Sequence, residues 1–182
     1  GNPYILKRIK KGITLEKAME TFKLTAEVGI DFSVNFIIGH AEETYERAMD
    51  TIKFSKKVLK EVGGKCYVNF HNMTPYPGTE LYDYIKANGK LLLPEETYLT
   101  ETATKTNRPL FETPEFKEKE RQKALNLGFK VSRKSHIIRR LGRFKGNIVW
   151  IFARNEKFYH GIRKFVLGSK IGMRLFNVLK RR

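Results

Sequence analysis

The sequence contains a single cysteine, Cys66, among its 182 residues. One thiol excludes an internal disulfide and cannot by itself hold an iron–sulfur cluster. Because Cys66 lies inside a predicted strand, we interpret it as a buried apolar thiol, with a reactive thiol as the alternative. The residue spacings show no metal-ligand pattern and no paired carboxylates, so we predict no metal site and no self-contained catalytic centre in this chain.

Long apolar runs are also missing. No stretch reaches the roughly 18 consecutive apolar residues that are typical of a membrane span, and the first residues do not form a signal peptide. These absences favour a cytoplasmic protein. The chain begins at Gly1 in a segment typical of a loop, so we expect it to be a fragment of a longer protein.

Acidic residues become scarce in the second part of the chain. Residues 1–110 contain 16 Lys and Arg against 14 Asp and Glu, whereas residues 111–182 contain 20 against 5. This asymmetry separates a near-neutral part from a strongly basic one. We predict an α/β unit over 1–92, a connecting loop over 93–113, and a basic amphipathic helical extension over 114–182.

Hydrophobic periodicity in the first part alternates between helix and strand. A short helix is predicted within 1–12, and longer helices over 15–28, 44–62 and 80–87, with strands over 30–38 and 66–73. A helix of about 18 residues between two strands is typical of a parallel crossover. We therefore predict an α/β fold with a parallel sheet.

The two predicted strands each have one apolar side and one mixed side. On the mixed side lie Ser33, Asn35, Asn69 and His71. Such a face is typical of a barrel lumen that binds a substrate, and a solvent-facing side of a partly covered sheet is the alternative. Ser33, Asn69 and His71 are therefore weak candidates for lining a substrate lumen, and a structural hydrogen bond is the alternative role of His71.

Both predicted strands end in glycine-containing loops, with the sequences GHAEET from Gly39 and TPYPGT from Thr74. Ligand sites of parallel α/β folds lie outside the carboxyl ends of strands. Glu42 and Glu43 are expected in the first turn of the next helix, where the helix dipole favours negative charge. Simple turn formation is the alternative role of the two loop glycines.

Four segments occur in order over roughly residues 1–90: GNPYILKRIKKGIT, Gly29-Ile30, FIIGHAEET and TPYPGTELY. Their sequence and spacing resemble the second half of the barrel of radical S-adenosylmethionine (radical SAM) enzymes. The likeness is greatest to the branch with an N-terminal cobalamin (B12)-binding domain. The resemblance implies the C-terminal half of a partial (β/α)6 TIM-like barrel with parallel strands, followed by the basic, mainly helical extension.

The resemblance also implies cofactors. Members of this family bind S-adenosylmethionine next to a [4Fe–4S] cluster on a Cys-x-x-x-Cys-x-x-Cys loop, which is absent here and is expected upstream of Gly1. Cobalamin is a further cofactor that the resemblance leaves open. This chain alone is expected to be inactive. The full protein is expected to functionalise C–H bonds by radical chemistry, or to methylate, a small-molecule or lipid-like substrate.

Individual site residues follow from the family motifs. The strand motif Gly-x-Ile-x-Gly falls on Asn35, Ile37 and Gly39, with Asn35 in place of the first glycine. The resemblance implies that Ile37 packs against the adenine and that Gly39 allows close backbone approach. Glu43 keeps the register of the family's first loop motif. The second loop matches closely, and its expected cofactor-binding residues are Thr74, Pro75, Tyr76 and Pro77.

The basic extension ends in an amphipathic pattern over 158–182. It could be a helical subdomain with solvated lysines, a helix on an anionic membrane surface, or a nucleic-acid-binding element. The long amphipathic pattern favours a peripheral membrane contact over nucleic acid. A non-catalytic basic module that binds anionic membrane or RNA is therefore the alternative to the enzyme.

Overall fold

The computed structural model describes residues 1–98, 108–155, 158–161, 164, 168, 169 and 172. The first part of the chain alternates helices and strands as the sequence predicts, with boundaries that agree to within two residues for α2 through β2. Its elements are α1 (Pro3–Arg8), α2 (Leu15–Glu27), β1 (Phe32–Ile38), α3 (Tyr45–Val62) and β2 (Cys66–Asn72), with a short 3-10 turn at Gly63–Lys65.

The elements between β2 and the basic extension are short, and the described start of the extension consists of two helices. They are α4 (Glu80–Asn88), β3 (Lys90–Leu91), α5 (Glu95–Tyr98), β4 (Phe111–Glu112), α6 (Glu118–Leu141) and α7 (Arg143–Ala153). Residues 99–107 of the predicted connecting loop lie outside the described residues, and so does most of the amphipathic segment 158–182.

The main sheet consists of β1 and β2, which pair in parallel from Phe32 opposite Cys66 to Ile38 opposite Asn72. A second, antiparallel pair joins β3 to β4. The predicted parallel crossover through α3 is therefore confirmed. The architecture is mixed α/β with a two-stranded parallel sheet, and these strands do not show a (β/α)6 barrel.

The apolar side of the sheet forms the core. Phe36 and Phe70 stack there with ring centroids 5.2 Å apart, and buried side chains of α2 and α3, including Met19 and Ile52, belong to the same cluster. Cys66 is buried in this cluster, and burial raises its thiol pKa to about 11. The prediction of a buried thiol is confirmed.

Helix α6 covers the edge of β2 that does not pair with β1. The backbone N–H of Phe70 donates to Ser132 Oγ at 2.9 Å, and that of Val68 donates to Ser135 Oγ at 3.2 Å. A Cβ on Gly128 would lie 2.6 Å from the Phe70 ring, so only glycine permits this close approach. The start of the basic extension is thus packed on the sheet, and serine hydroxyls satisfy edge N–H groups that a third strand would otherwise bind.

Candidate functional site

The loops after β1 and β2 begin side by side. The N–H of Met73 donates to the carbonyl oxygen of Ile38 at 2.9 Å, which continues the pairing by one residue. A Cβ on Gly39 would lie 3.3 Å from Met73 Cβ. The structure therefore brings the two loops that the sequence singled out to one edge of the sheet, at the carboxyl ends of both strands.

Glu42 and Glu43 lie before the helix and not in its first turn, so that part of the sequence prediction is wrong. Helix α3 begins at Tyr45, and Thr44 caps it by accepting a hydrogen bond from Arg47 N. A threonine hydroxyl is a better cap than a glutamate in this place. The two glutamates are left in the turn, and Glu42 adopts a positive φ of 58°.

The Glu43 carboxylate is buried beneath its own loop. Its Oε2 accepts hydrogen bonds from the backbone N–H groups of Gly39 and His40, the latter at 3.2 Å. Its Oε1 is buried without a hydrogen-bond partner. Burial raises the pKa of Glu43, and the two backbone hydrogen bonds and Arg121 partly oppose that shift. Glu43 therefore holds the loop from inside.

Arg121, near the start of α6, holds the same loop from the other side. It is only 2% exposed. Its guanidinium donates to the carbonyl oxygen of Gly39 at 3.1 Å, to that of Phe116 at 2.8 Å, and to Thr113 Oγ1 at 3.3 Å. It also lies over the Phe111 ring, 4.3 Å from its centroid. Burial lowers its pKa to about 10, which leaves it cationic at neutral pH.

Gly39 is required by this contact. Its φ is +109°, and a Cβ would lie 2.7 Å from Nη1 of Arg121. The close backbone approach that the motif implies is thus used by a side chain of the same protein. Burial, followed by nearby positive charge that includes Arg121, lowers the pKa of the neighbouring His40 to about 4. Its imidazole is therefore neutral at pH 7.

Glu42 ties helix α1 to the outside of the loop. Its carboxylate accepts hydrogen bonds from Tyr4 Oη at 2.7 Å and Arg8 Nε at 2.9 Å. Arg47 donates to the Glu42 carbonyl oxygen at 2.6 Å. The hydrogen bonds from Tyr4 and Arg8 lower the pKa of the Glu42 carboxyl group. Side chains from α1, α3 and α6 therefore all converge on the β1 loop.

The β2 loop is held much less. Thr74 and Pro75 are buried, whereas Tyr76 and Pro77 are exposed. Thr79 Oγ1 donates to the Tyr76 carbonyl oxygen at 2.7 Å and accepts from the first turn of α4. Thr74 Oγ1 is buried without a hydrogen-bond partner. The tip of this loop is accessible.

The mixed side of the sheet carries a polar network. Asn69 Nδ2 donates to Asn35 Oδ1 at 3.0 Å, and His71 Nε2 lies 3.3 Å from the same oxygen. Ile37, beside them, is 41% exposed. Ser33 is half-buried on the same strand. The structure thus brings these candidates together on an accessible face, which both a barrel lumen and a solvent-facing sheet would present.

Sequence reasoning missed two residues of the extension that reach this region. His136 Nε2 lies 2.8 Å from Asn69 Oδ1, and burial lowers the pKa of His136. Arg121 is the other. It shares a helical stripe with the buried residues Ala124 and Leu125, and a charge on an apolar stripe is a signal that could have identified it. No comparable signal marks His136.

The described residues do not fit an iron–sulfur cluster or another metal centre. Among them, no three His, Cys, Asp or Glu side chains lie close enough together to hold an ion. Cys66 is enclosed in the core. Ile37 offers an exposed apolar surface on the same strand as the exposed Asn35 amide.

Comparison with known proteins gives one informative similarity. The chain is 41% identical over 91 residues to a curated protein of Pyrococcus horikoshii described as an uncharacterized methyltransferase. The matched region is 50% of this chain and 19% of that protein, so the chain spans about a fifth of the relative's length. No family model and no solved structure matches the chain.

None of the helices in the described ranges combines the length and apolar character that a membrane crossing requires.

Proposed function

We propose that this chain is the C-terminal part of a radical SAM methyltransferase and supplies the adenosine side of its S-adenosylmethionine pocket. The accessible face and open loop at the carboxyl ends of β1 and β2 carry this proposal. It is supported by the order of the four segments and by the 41% identity over 91 residues to a protein named as a methyltransferase.

The hydrogen bonding of the β1 loop supports a particular choice of cofactor-contacting residues. The Gly39 N–H and carbonyl oxygen already bind Glu43 and Arg121, so the backbone of the β1 loop is occupied. We therefore assign the adenosine to Ile37 and Asn35 on the strand and to the Thr74–Pro77 segment of the β2 loop. Ile37 would supply apolar contact area, and Tyr76 of the β2 loop, which is exposed, would be accessible to a ligand.

S-adenosylmethionine, when bound, supplies an activated methyl group or a source of radical chemistry. The residues of this chain would bind and orient the adenosine and exclude water from its apolar side. We assign the cluster ligands to a segment outside this chain, and cobalamin binding, if used, to another domain. We further propose a cytoplasmic location and a small-molecule or lipid-like substrate.

The test uses the intact protein, purified without oxygen and supplied with S-adenosylmethionine labelled on its methyl group. Iron and cobalt content, 5′-deoxyadenosine, S-adenosylhomocysteine and label transfer would be measured together. We expect bound iron and consumption of the labelled compound. An intact protein without iron that leaves S-adenosylmethionine unchanged would contradict the proposal. Release of S-adenosylhomocysteine without iron would support methylation and reject the radical mechanism.

The alternative is a basic module that binds anionic membrane or RNA without catalysis. The charge of residues 111–182 supports it, but it gives no role to the polar network around Asn35. Salt-sensitive RNA binding by an intact protein that does not consume S-adenosylmethionine would favour this alternative.

A further inference from the structure

The outward side of α7 is apolar. Phe144, Ile148, Ile151 and Phe152 are all exposed, Phe144 by 80%. They occupy positions i, i+4, i+7 and i+8, which share one side of a helix. The ring of Phe158 lies 5.9 Å from that of Phe152 and extends the patch. Single exposed apolar residues are ordinary, but a contiguous set of this kind marks an interaction surface.

The opposite side of α7 fixes the orientation of this patch. Gly146 and Ala153 are buried, and a Cβ on Gly146 would lie 2.7 Å from the Cα of Ile138 in α6. Helix α6 is itself hydrogen-bonded to the edge of β2 through Ser132 and Ser135. The apolar side is therefore presented outward on a fixed support.

Positive charge borders the patch on both sides. At 100° per residue, Lys145 flanks one side and Arg143 and Arg154 flank the other, and all three are exposed. Residues 121–182 contain 18 Lys and Arg but a single acidic residue, Glu156. No acidic side chain of this part of the sequence other than Glu156 could repel an anionic surface.

The combination of exposed apolar side chains and bordering cations distinguishes between possible binding partners of α7. RNA would use the cations but leave the four apolar side chains in water, whereas an apolar protein partner would have no use for the border of cations. An anionic lipid surface satisfies both, because apolar side chains insert at the headgroup level while Lys and Arg contact phosphates. Phenylalanine is among the residues that interfacial helices insert at that depth.

We propose that α7 lies on an anionic membrane surface with its Phe144–Ile151 side inserted among the headgroups. The attachment is peripheral and involves no crossing segment. It goes beyond the proposed methyl transfer and does not depend on it. It also lies on described residues, upstream of the 158–182 segment that the sequence alone favoured.

The first experiment is co-sedimentation of the intact protein with vesicles of phosphatidylcholine, alone or mixed with phosphatidylglycerol. We expect binding only to the mixed vesicles, and weaker binding as salt rises. The triple variant Phe144→Ser, Ile148→Ser, Ile151→Ser should lower the affinity at least about tenfold. The control variant Leu24→Ser, Val28→Ser, which removes exposed apolar side chains from the end of α2 and from its C-cap residue, should bind like the wild type.

A second pair of variants tests the charges. Arg143→Gln with Lys145→Gln should weaken vesicle binding by about fivefold for each charge at low salt. Lys56→Gln with Lys60→Gln removes the same charge from exposed positions of α3 and should have a smaller effect.

Several results would overturn the proposal. These are equal binding to neutral vesicles, unchanged binding of the triple serine variant, and light scattering that shows a dimer which the triple variant abolishes. Displacement from vesicles by RNA with no loss of RNA binding in the triple variant would also overturn it. A fall of many degrees in the Tm of the triple variant would mean that the protein's own chain covers the patch.

Discussion

The loops after β1 and β2 start at the same edge of the sheet, yet the rest of the chain holds them very differently. The β1 loop is bound by Glu43 from inside, by Arg121 from α6, and by Tyr4 and Arg8 from α1. In the described residues, the hydrogen bonds of the β2 loop stay within the loop and the helix that it caps, and Tyr76 is exposed although Thr74 and Pro75 are buried. The difference suggests a structural role for the first loop and a ligand-binding role for the second.

Arg121→Met should have the largest effect on the β1 loop. The change removes three charge-assisted hydrogen bonds and leaves the Gly39 carbonyl oxygen unpaired in the interior. We expect the free energy of unfolding to fall by about 3–5 kcal/mol. Urea unfolding of the intact protein measures it.

The matched control is Arg140→Met on the same helix, where the side chain is exposed. It should change the free energy of unfolding by less than about 0.5 kcal/mol. Equal losses in the two variants would show that Arg121 does not hold the β1 loop.

The next effect compares one glycine from each loop. Gly39 and Gly78 both have positive φ, +109° and +82°, but only Gly39 has a neighbour in the way of a Cβ. Gly78→Ala should cost about 1 kcal/mol for backbone strain. Gly39→Ala should cost about 3 kcal/mol because crowding against Arg121 is added.

A double variant measures the coupling between Gly39 and Arg121. In an Arg121→Met background the crowding against Arg121 is reduced, so Gly39→Ala should cost less than in the wild type. It should still cost more than Gly78→Ala, because the added Cβ would lie 3.3 Å from Met73 Cβ. Such a coupling is expected between residues in contact. Additive losses would mean that Gly39 is constrained by something other than Arg121.

A smaller contrast separates two buried threonines. Thr113 Oγ1 accepts a hydrogen bond from Arg121, whereas Thr74 Oγ1 has no partner. Thr113→Val should lower the free energy of unfolding by about 1–2 kcal/mol. Thr74→Val should leave it unchanged or raise it by up to about 1 kcal/mol, because an unpaired hydroxyl is removed. A large loss at Thr74 in thermal unfolding would show that its hydroxyl is hydrogen-bonded in the folded protein.

The smallest effect is in the pH dependence. The pKa of Glu43 is raised in the folded protein above its ordinary value of 4.5, so the folded state binds the proton more tightly than the unfolded state. Between 4.5 and the raised value, this group makes stability fall as pH rises. His40, with its pKa lowered from 6.5 to about 4, makes stability rise with pH between those two values.

Comparing the wild type with Glu43→Gln cancels the His40 contribution, because that residue is present in both. The wild-type free energy of unfolding minus that of the variant should decrease as pH rises above about 4.5. A difference that increases with pH would show that the buried carboxylate is stabilised in its charged form.

Periodicity predicted most of the fold because local patterns and caps agree with the final structure. The apolar stripe of α3 is visible in the sequence, and Thr44 and Thr79 lie at the N-caps of the helices that follow them. The hydrogen bond from Arg121 to the β1 loop was not predictable in this way, since Arg121 lies 82 residues after Gly39. Only the packing of α6 on β2 brings them together. The placement of Glu43 failed for a local reason, because Thr44 competes as the cap.

We propose that the adenosine lies against Ile37 and the β2 loop. The affinity of the intact protein for S-adenosylmethionine tests this placement. Ile37→Ser removes a 41% exposed apolar side chain from the proposed face, and Ile30→Ser removes a 56% exposed one just before the strand. Both substitutions have the same chemistry. The account predicts that Ile37→Ser weakens binding by about tenfold while Ile30→Ser leaves it unchanged. Equal affinities in the two variants would contradict it.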